Sequence, residues 1–315
     1  MELRTFNDLQ LSALMLGTAQ FGLPYGVANK KGQPSQREVC EILACAYDGG
    51  VNCLDTAAGY GESEQVIGKA LAELGIADEM IVVTKVHFLA DDLSSAAADA
   101  IVEESVVRSL RYLRLESLPI CFFHRAENAC YLDSLLKLKE RGLIGCIGCS
   151  VLTPEEALTL LQEKGIEAMQ VAASLLDHRF QRAHVLDAAR NRQVACFVRS
   201  IYLQGLLLML EADIPDELRQ VIPIRRQLQT LSQQAGLEMS ALAIRYVLGL
   251  RGVTCAVIGA ESVEQMRSNL ALFSTLPLPT EMMQEIEEIV PALSDQILLP
   301  NRWSMRMPDA VPAGR

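Results

Sequence analysis

Val51-Asn-Cys-Leu-Asp-Thr56, Ser63-Glu-Gln-Val-Ile-Gly-Lys-Ala-Leu-Ala-Glu-Leu74 and Met80-Ile-Val-Val-Thr-Lys85 follow one another along the chain. The outer two are short and apolar, which predicts strands buried on both faces. The middle one is amphipathic and reads as a helix. Buried strands joined by a helix imply a parallel sheet. The alternation extends both ways: strands are predicted at Leu14–Gly17, Leu118–His124, Ile144–Ser150, Ala168–Ala172, Ala195–Arg199 and Cys255–Gly259. Helices are predicted from Ser35 to the Gly49-Gly50 stop, over Ser94–Leu113, over Leu132–Arg141, and from Thr153 onward. Ser35-Gln-Arg-Glu38 and Thr153-Pro-Glu-Glu156 are capping boxes, the second with proline at the first helical position.

About eight strand–helix units without a compositional break predict one closed (β/α)8 TIM barrel over residues 13–276. A doubly wound open sheet is the alternative. Residues 1–12, turning at Asn7-Asp8, read as a β-hairpin at the barrel floor. Residues 277–315 read as a C-terminal helix burying Met282, Met283, Ile286 and Ile289, followed by a loose proline-rich tail. The 315 residues are thus read as a single domain.

The formal net charge is −11, and half the residues are apolar. Such a balance argues against a sequence-independent grip on nucleic acid and against disorder. No apolar run approaches membrane-span length, and no secretory signal is visible, so a cytoplasmic protein is expected. The nine cysteines, several in apolar strands, read as reduced thiols. Cys146 and Cys149 form one CxxC without a matching partner pair. His87, His178 and His184 have no partners at metal spacing and read as surface or loop histidines, with His87 also a candidate for the mouth.

Three consecutive predicted strands end in Asp55, Lys85 and His124. In a parallel barrel these ends converge on one mouth. Tyr60 lies five residues after Asp55 in a loop flanked by Gly59 and Gly61. An ammonium beside a phenol favours the phenolate, and a carboxylate holds the ammonium. A Tyr60–Lys85–Asp55 relay with His124 therefore suits proton donation to a carbonyl receiving hydride. Spacing alone equally allows a structural Asp55–Lys85 pair with Tyr60 as packing.

Leu16-Gly-Thr-Ala-Gln-Phe-Gly22, Asn52 to Glu64, Val83-Thr-Lys85 and Phe123-His124 resemble the aldo-keto reductase family. So do Ile147-Gly-Cys-Ser150, Gln170, Arg199-Ser-Ile-Tyr-Leu-Gln-Gly205, Val257-Ile-Gly-Ala260 and Asn269, spanning nearly the whole chain. The resemblance implies an NAD(P)-dependent carbonyl reductase, or the reverse reaction on a sugar-like alcohol, with Tyr60 as general acid. It also implies a cofactor site. Gly17, Thr18 and Asp55 would lie by the nicotinamide ribose, and Ser150 and Gln170 at the carboxamide. Ser200, Leu203, Gln204, Gly205 and Leu206 would line the pyrophosphate loop, with Gly259, Ala260, Gln265 and Asn269 at the adenosine end.

Three positions depart from the family pattern. Val151 stands where many members have Asn, and Arg199 where an aromatic often stacks on the nicotinamide. Gly259 replaces the usual basic contact to a 2′-phosphate; Arg267 is close enough in sequence to substitute, although on a helix it reads more often as a solvated surface charge. NADP(H) is expected ahead of NAD(H), with a small carbonyl or sugar-like substrate and no nucleic-acid or membrane partner. Arg199 would favour a carboxylate or phosphate nearby. Ser262-Val-Glu-Gln265 is a third capping box, so Gln265 is also readable as a cap alone. Glu64 breaks a Rossmann reading of Gly59-Tyr-Gly61, where glycine or alanine is required. The competing function is a cofactor-binding regulatory subunit with little turnover. Phe21, Tyr25, Phe88, Tyr202 and Trp303 are candidate pocket walls, and Leu210–Glu217 reads as an acidic mouth-side loop.

Overall fold

Leu3–Phe6 (β1) and Leu9–Ser12 (β2) pair antiparallel around Asn7-Asp8, where Asn7 takes φ 48°. Asparagine tolerates that left-handed geometry, so the two-residue loop closes a hairpin. The computed structural model describes residues 1–24, 32–273 and 277–303. After the hairpin come β3 (Leu14–Gly17), β4 (Cys53–Asp55), β5 (Ile81–Lys85), β6 (Leu118–Phe123), β7 (Ile144–Ser150), β8 (Ala168–Ala172), β9 (Ala195–Arg199) and β10 (Val253–Gly259). All eight are parallel, each pairs with its neighbour in sequence, and β10 returns to β3. Closure excludes the open doubly wound sheet and leaves no strand edge.

Helices cover the outside. Gln36–Asp48 starts at a complete Ser35–Glu38 capping box, and Pro154–Leu160 at a complete Thr153–Glu156 box. Ser63–Leu74 ends at Gly75, whose φ of 68° glycine accepts without strain. The apolar sides of these helices and the outward strand residues form the larger core.

A smaller core fills the barrel. Met15, Cys53, Val83, Ile120, Phe122, Cys146, Ala168, Ala195, Phe197 and Cys255 point inward, and Phe6 and Leu11 of the hairpin close the floor. The Phe122 and Phe197 rings stack at 5.8 Å. Gly148 makes room for them, since a Cβ there would stand 2.2 Å from the Phe122 ring. Cys146 faces this interior and Cys149 the outer core. A spacing of three on a strand puts side chains on opposite faces, so the CxxC cannot pair, and all nine cysteines are free.

Thr280–Ile289 buries Ile286 fully, whereas Met282, Met283 and Ile289 are only half-buried, a thinner contact than the sequence pattern implies. Gln181 donates to Glu287 at 2.5 Å and Arg182 to the Val290 carbonyl at 2.6 Å, so the helix docks on the segment after β8. The tail beyond Trp303, and Tyr25, lie outside the described residues. Among the described residues, no helix is long and apolar enough to cross a membrane.

Candidate active site

Side chains on a strand alternate between faces, so an inward row advances two residues at a time. One such step beyond the apolar interior changes the chemistry on five strands. Cys53 gives way to Asp55, Val83 to Lys85, Phe122 to His124, Ala168 to Gln170 and Phe197 to Arg199. The polar residues therefore share the rim at the carboxyl ends of the strands, directly above the packed interior.

Lys85 is wholly buried. Its Nζ donates to Asp55 Oδ1 at 2.7 Å and to the Thr56 carbonyl at 2.8 Å. Gln170 Nε2 reaches across from β8 to the same carboxylate oxygen, also at 2.8 Å. Burial pulls the ammonium pKa down, and the Asp55 charge opposes that pull. An ion pair in so dry a place persists because further hydrogen bonds complete it.

Tyr60 enters this space from the loop after β4. A Cβ on Gly22 would stand 1.9 Å from the Tyr60 carbonyl, and one on Gly61 would stand 2.3 Å from the Gly22 carbonyl. Only glycines permit so close an approach of the two loops. Gly61 also takes φ 54°. The approach seats the Tyr60 ring 5.1 Å from Lys85 Nζ and edge-on to His124, with ring centroids 5.6 Å apart.

Burial presses the His124 pKa well below that of an ordinary imidazole. The nearby charges of Lys85, Arg199, Arg125 and His87 act in the same direction, so the ring is neutral. Its Nδ1 is buried without a hydrogen bond among the described residues. An acceptor nitrogen without a partner is easier to bury than an unpaired N–H, so we assign the proton to Nε2 and leave a neutral donor at the mouth.

The candidate cofactor residues occupy the same rim. Gly259, Gly17 and Asp55 lie in register on β10, β3 and β4, and Ser150 pairs with Gln170 on β7 and β8. Thr18 is buried, with its hydroxyl donating to the Asp55 carbonyl at 2.9 Å, and so braces the rim from inside. Ser200, Leu203, Gln204 and Gly205 all have positive φ. Where left-handed and right-handed residues adjoin, as at Gly205 and Leu206, successive N–H groups form the concavities in which anions bind, and such strain accumulates at functional loops. Ala260 is buried, Leu206 packs in the outer core, and the Asn269 amide donates to the Gly259 carbonyl at 3.2 Å. The Ser262 hydroxyl accepts from the Gln265 N–H at 3.3 Å, but the Gln265 side chain accepts from Glu261 instead of closing the box on Ser262. The Ser150 hydroxyl, the left-handed loop and a helix start form a donor set that fits a nicotinamide dinucleotide.

Phe88 and Arg199, both singled out in the sequence, stand at the site, whereas Arg125 and Gln20 escape sequence reasoning. The Phe88 ring stacks on His124 at 4.7 Å, and the Arg125 guanidinium lies 4.4 Å from the centroid of the same ring. Arg199 donates to the Val151 carbonyl at 2.8 Å and to Ser200 Oγ at 3.3 Å, so it is held by backbone where an amide side chain was missing. The Gln20 side chain lies against Gly259. No local pattern marks the roles of Arg125 and Gln20, since each depends on a loop from another strand. Other expectations are corrected. His178 is buried at 3% exposure instead of lying on the surface, and Phe21 and Trp303 belong to the outer core instead of the pocket wall. His87 is exposed at the mouth against Phe88.

Residues 13–291 match the family model described as the aldo/keto reductase family. The chain is 26% identical over 313 residues to L-glyceraldehyde 3-phosphate reductase of Escherichia coli strain K12, covering 88% of this chain and 90% of that one. It is 25% identical over 285 residues to D-arabinose 1-dehydrogenase of Saccharomyces cerevisiae, covering 83% of each. The structure of a Bacillus halodurans aldo-keto reductase in its holo form superimposes with a TM-score of 0.75. That match covers 95% of this chain and 99% of the other at 24% identity, a likeness of fold.

Proposed function

The chain belongs to the aldo/keto reductase family, and we propose that it reduces a small sugar-like aldehyde or ketone with Tyr60 as the proton donor. It is an NAD(P)-dependent oxidoreductase that interconverts carbonyl and alcohol groups. The bound nicotinamide supplies the hydride; the proton and the orientation come from this chain. The observation that carries the reading is the wholly buried Lys85 ammonium, anchored on Asp55 and 5.1 Å from the Tyr60 ring.

In this reading the substrate oxygen sits between the Tyr60 hydroxyl and His124 Nε2–H. Tyr60 gives its proton to the oxygen as the carbonyl carbon is reduced. The phenolate left behind is stabilised by Lys85, whose charge would be lost to burial without Asp55 and Gln170. Neutral His124 donates a hydrogen bond without competing as an acid. In the alcohol-oxidising direction the same phenolate takes the proton back. The dinucleotide is held by Gly17, Thr18, Asp55, Ser150, Gln170 and Arg199 at its nicotinamide half. The turn from Ser200 through Leu203, Gln204, Gly205 and Leu206, with Gly259, Ala260, Gln265 and Asn269, holds the remainder.

NADP(H) is the cofactor in this reading, with NAD(H) the competing outcome. Arg267, the basic side chain available for a 2′-phosphate, lines a surface groove with Glu41 and Asp48, so fluorescence titration with both nicotinamides is the direct comparison. The chemical test follows NADPH and NADH oxidation with glyceraldehyde, arabinose and simple aldehydes. Tyr60→Phe should lower kcat by about 10³-fold, the middle of the range for general acid catalysis, while retaining cofactor binding. Equal rates in the wild type and the variant would refute the acid role.

A further inference from the structure

Basic side chains gather at the active-site mouth of a chain whose net charge is −11. Three cationic side chains act on His124, those of Lys85, Arg199 and Arg125. Two are already committed. Lys85 is matched by Asp55, and Arg199 is tied to the Val151 carbonyl and Ser200 Oγ. Arg125 differs. It is the first residue after His124 and its side chain is exposed. Among the described residues its guanidinium makes no hydrogen bond or ion pair, and its contact is the face of Phe88. The acids of the adjoining loops, Asp91, Asp92 and Glu127, are exposed, and none is paired with it.

Phe88 fixes where this charge lies. Its ring is 4.7 Å from the His124 ring and 4.4 Å from Arg125 Cζ, so one aromatic ring links the carbonyl-binding imidazole to the uncommitted guanidinium. Stacking on an aromatic restrains a long side chain while leaving its N–H fork open. A planar fork with several donors matches a carboxylate or phosphate.

We propose that Arg125 is a specificity residue that receives an anionic group, carboxylate or phosphate, carried a few bonds from the reacting carbonyl of a short aldehyde or ketone. The assignment rests on the carbonyl-reductase reading and narrows its substrate class. The anion docks over the edge of Phe88, and the carbonyl oxygen then falls at His124 and Tyr60. Neutral sugars lack the charge and bind in that geometry less often.

Matched pairs of substrates test this: succinic semialdehyde against butyraldehyde for a carboxylate, and glyceraldehyde 3-phosphate against glyceraldehyde for a phosphate. In the wild type, kcat/KM should favour the charged member of at least one pair tenfold or more, with the difference chiefly in KM. The favoured pair identifies the anion. Arg125→Leu should reduce the charged-to-neutral ratio at least fivefold, and Arg125→Lys should restore part of it. Raising the salt concentration should also shrink the ratio. A ratio near one in the wild type, or a ratio that survives in Arg125→Leu, overturns the proposal. Proportional loss on both members would indicate a purely structural role and overturns it too. Calorimetric binding of the same four compounds to Tyr60→Phe in the presence of NADP⁺ reads the preference without turnover. Neutral aldehydes reduced in a Tyr60-dependent way without a charged preference would sink the Arg125 assignment alone. Tighter binding of a charged member without any reduction would sink the reductase reading and keep the anion site.

Discussion

The floor and the mouth of the barrel are built from the same strands and obey opposite rules. At the floor, Phe6, Leu11, Met15, Phe122 and Phe197 exclude water and carry no charge. One inward step along the strands, Asp55, Lys85 and Gln170 are just as buried but polar, and each depends on the others for hydrogen bonds. An apolar layer tolerates loss of a member by partial collapse. A buried ion pair does not, because removal of one charge leaves the other uncompensated. The close-packed floor is also what keeps the layer above it dry, and low polarity strengthens the field of Lys85 at Tyr60.

Lys85→Met should break the contrast most severely. It strands Asp55 and should cost about 4 kcal/mol in urea unfolding as well as abolishing carbonyl reduction. If the variant is as stable as the wild type, the mouth is not an interdependent polar layer. Leu11→Ala at the floor should cost about 3 kcal/mol while leaving kcat/KM within about twofold of wild type once the protein is folded. A large kinetic defect there would mean that the floor controls the geometry of the mouth and not only its dryness.

His178 gives a smaller and reversible effect from a third position, buried outside the barrel against the Tyr246 ring at 5.3 Å. Burial lowers its pKa to about 4, whereas the unfolded chain titrates near the ordinary value of about 6.5. Between those values the unfolded state binds a proton that the folded state refuses. Stability should therefore fall as pH drops through that window, by up to about 3 kcal/mol at its foot. His178→Phe should flatten this part of the stability profile. Because His124 is neutral for similar reasons, kcat/KM should show no break near pH 6.5 from that residue; a break that disappears in His124→Gln would contradict its neutral state.

Much of this architecture was readable along the chain, and the reasons are local. The Ser35 and Thr153 boxes need only residues three apart to satisfy orphan backbone groups, and both form as read. The strand runs were legible because a strand buried on both faces must be apolar throughout. Asp55, Lys85 and His124 stood out because a charge at the end of such a run is incongruous. Gln265 was legible only in part: its backbone N–H joins the cap, but its side chain chooses Glu261, since the neighbouring N–H groups compete for one amide.

Other features needed the closed barrel. Gln170 and Asp55 are 115 positions apart and meet because closure brings β8 across from β4. The bond that completes the ion pair therefore has no signature in either segment. The same holds for the close approach of Gly22 to Tyr60 and for the Arg125–Phe88–His124 stack, each assembled from loops that follow different strands. Sequence alone determined which residues could be strand, helix, cap or reactive group, because periodicity and capping are properties of neighbours along the chain. Tertiary structure alone decided which charges are matched, which histidine is neutral and which arginine remains uncommitted, because burial and electrostatic partnership depend on distance in space.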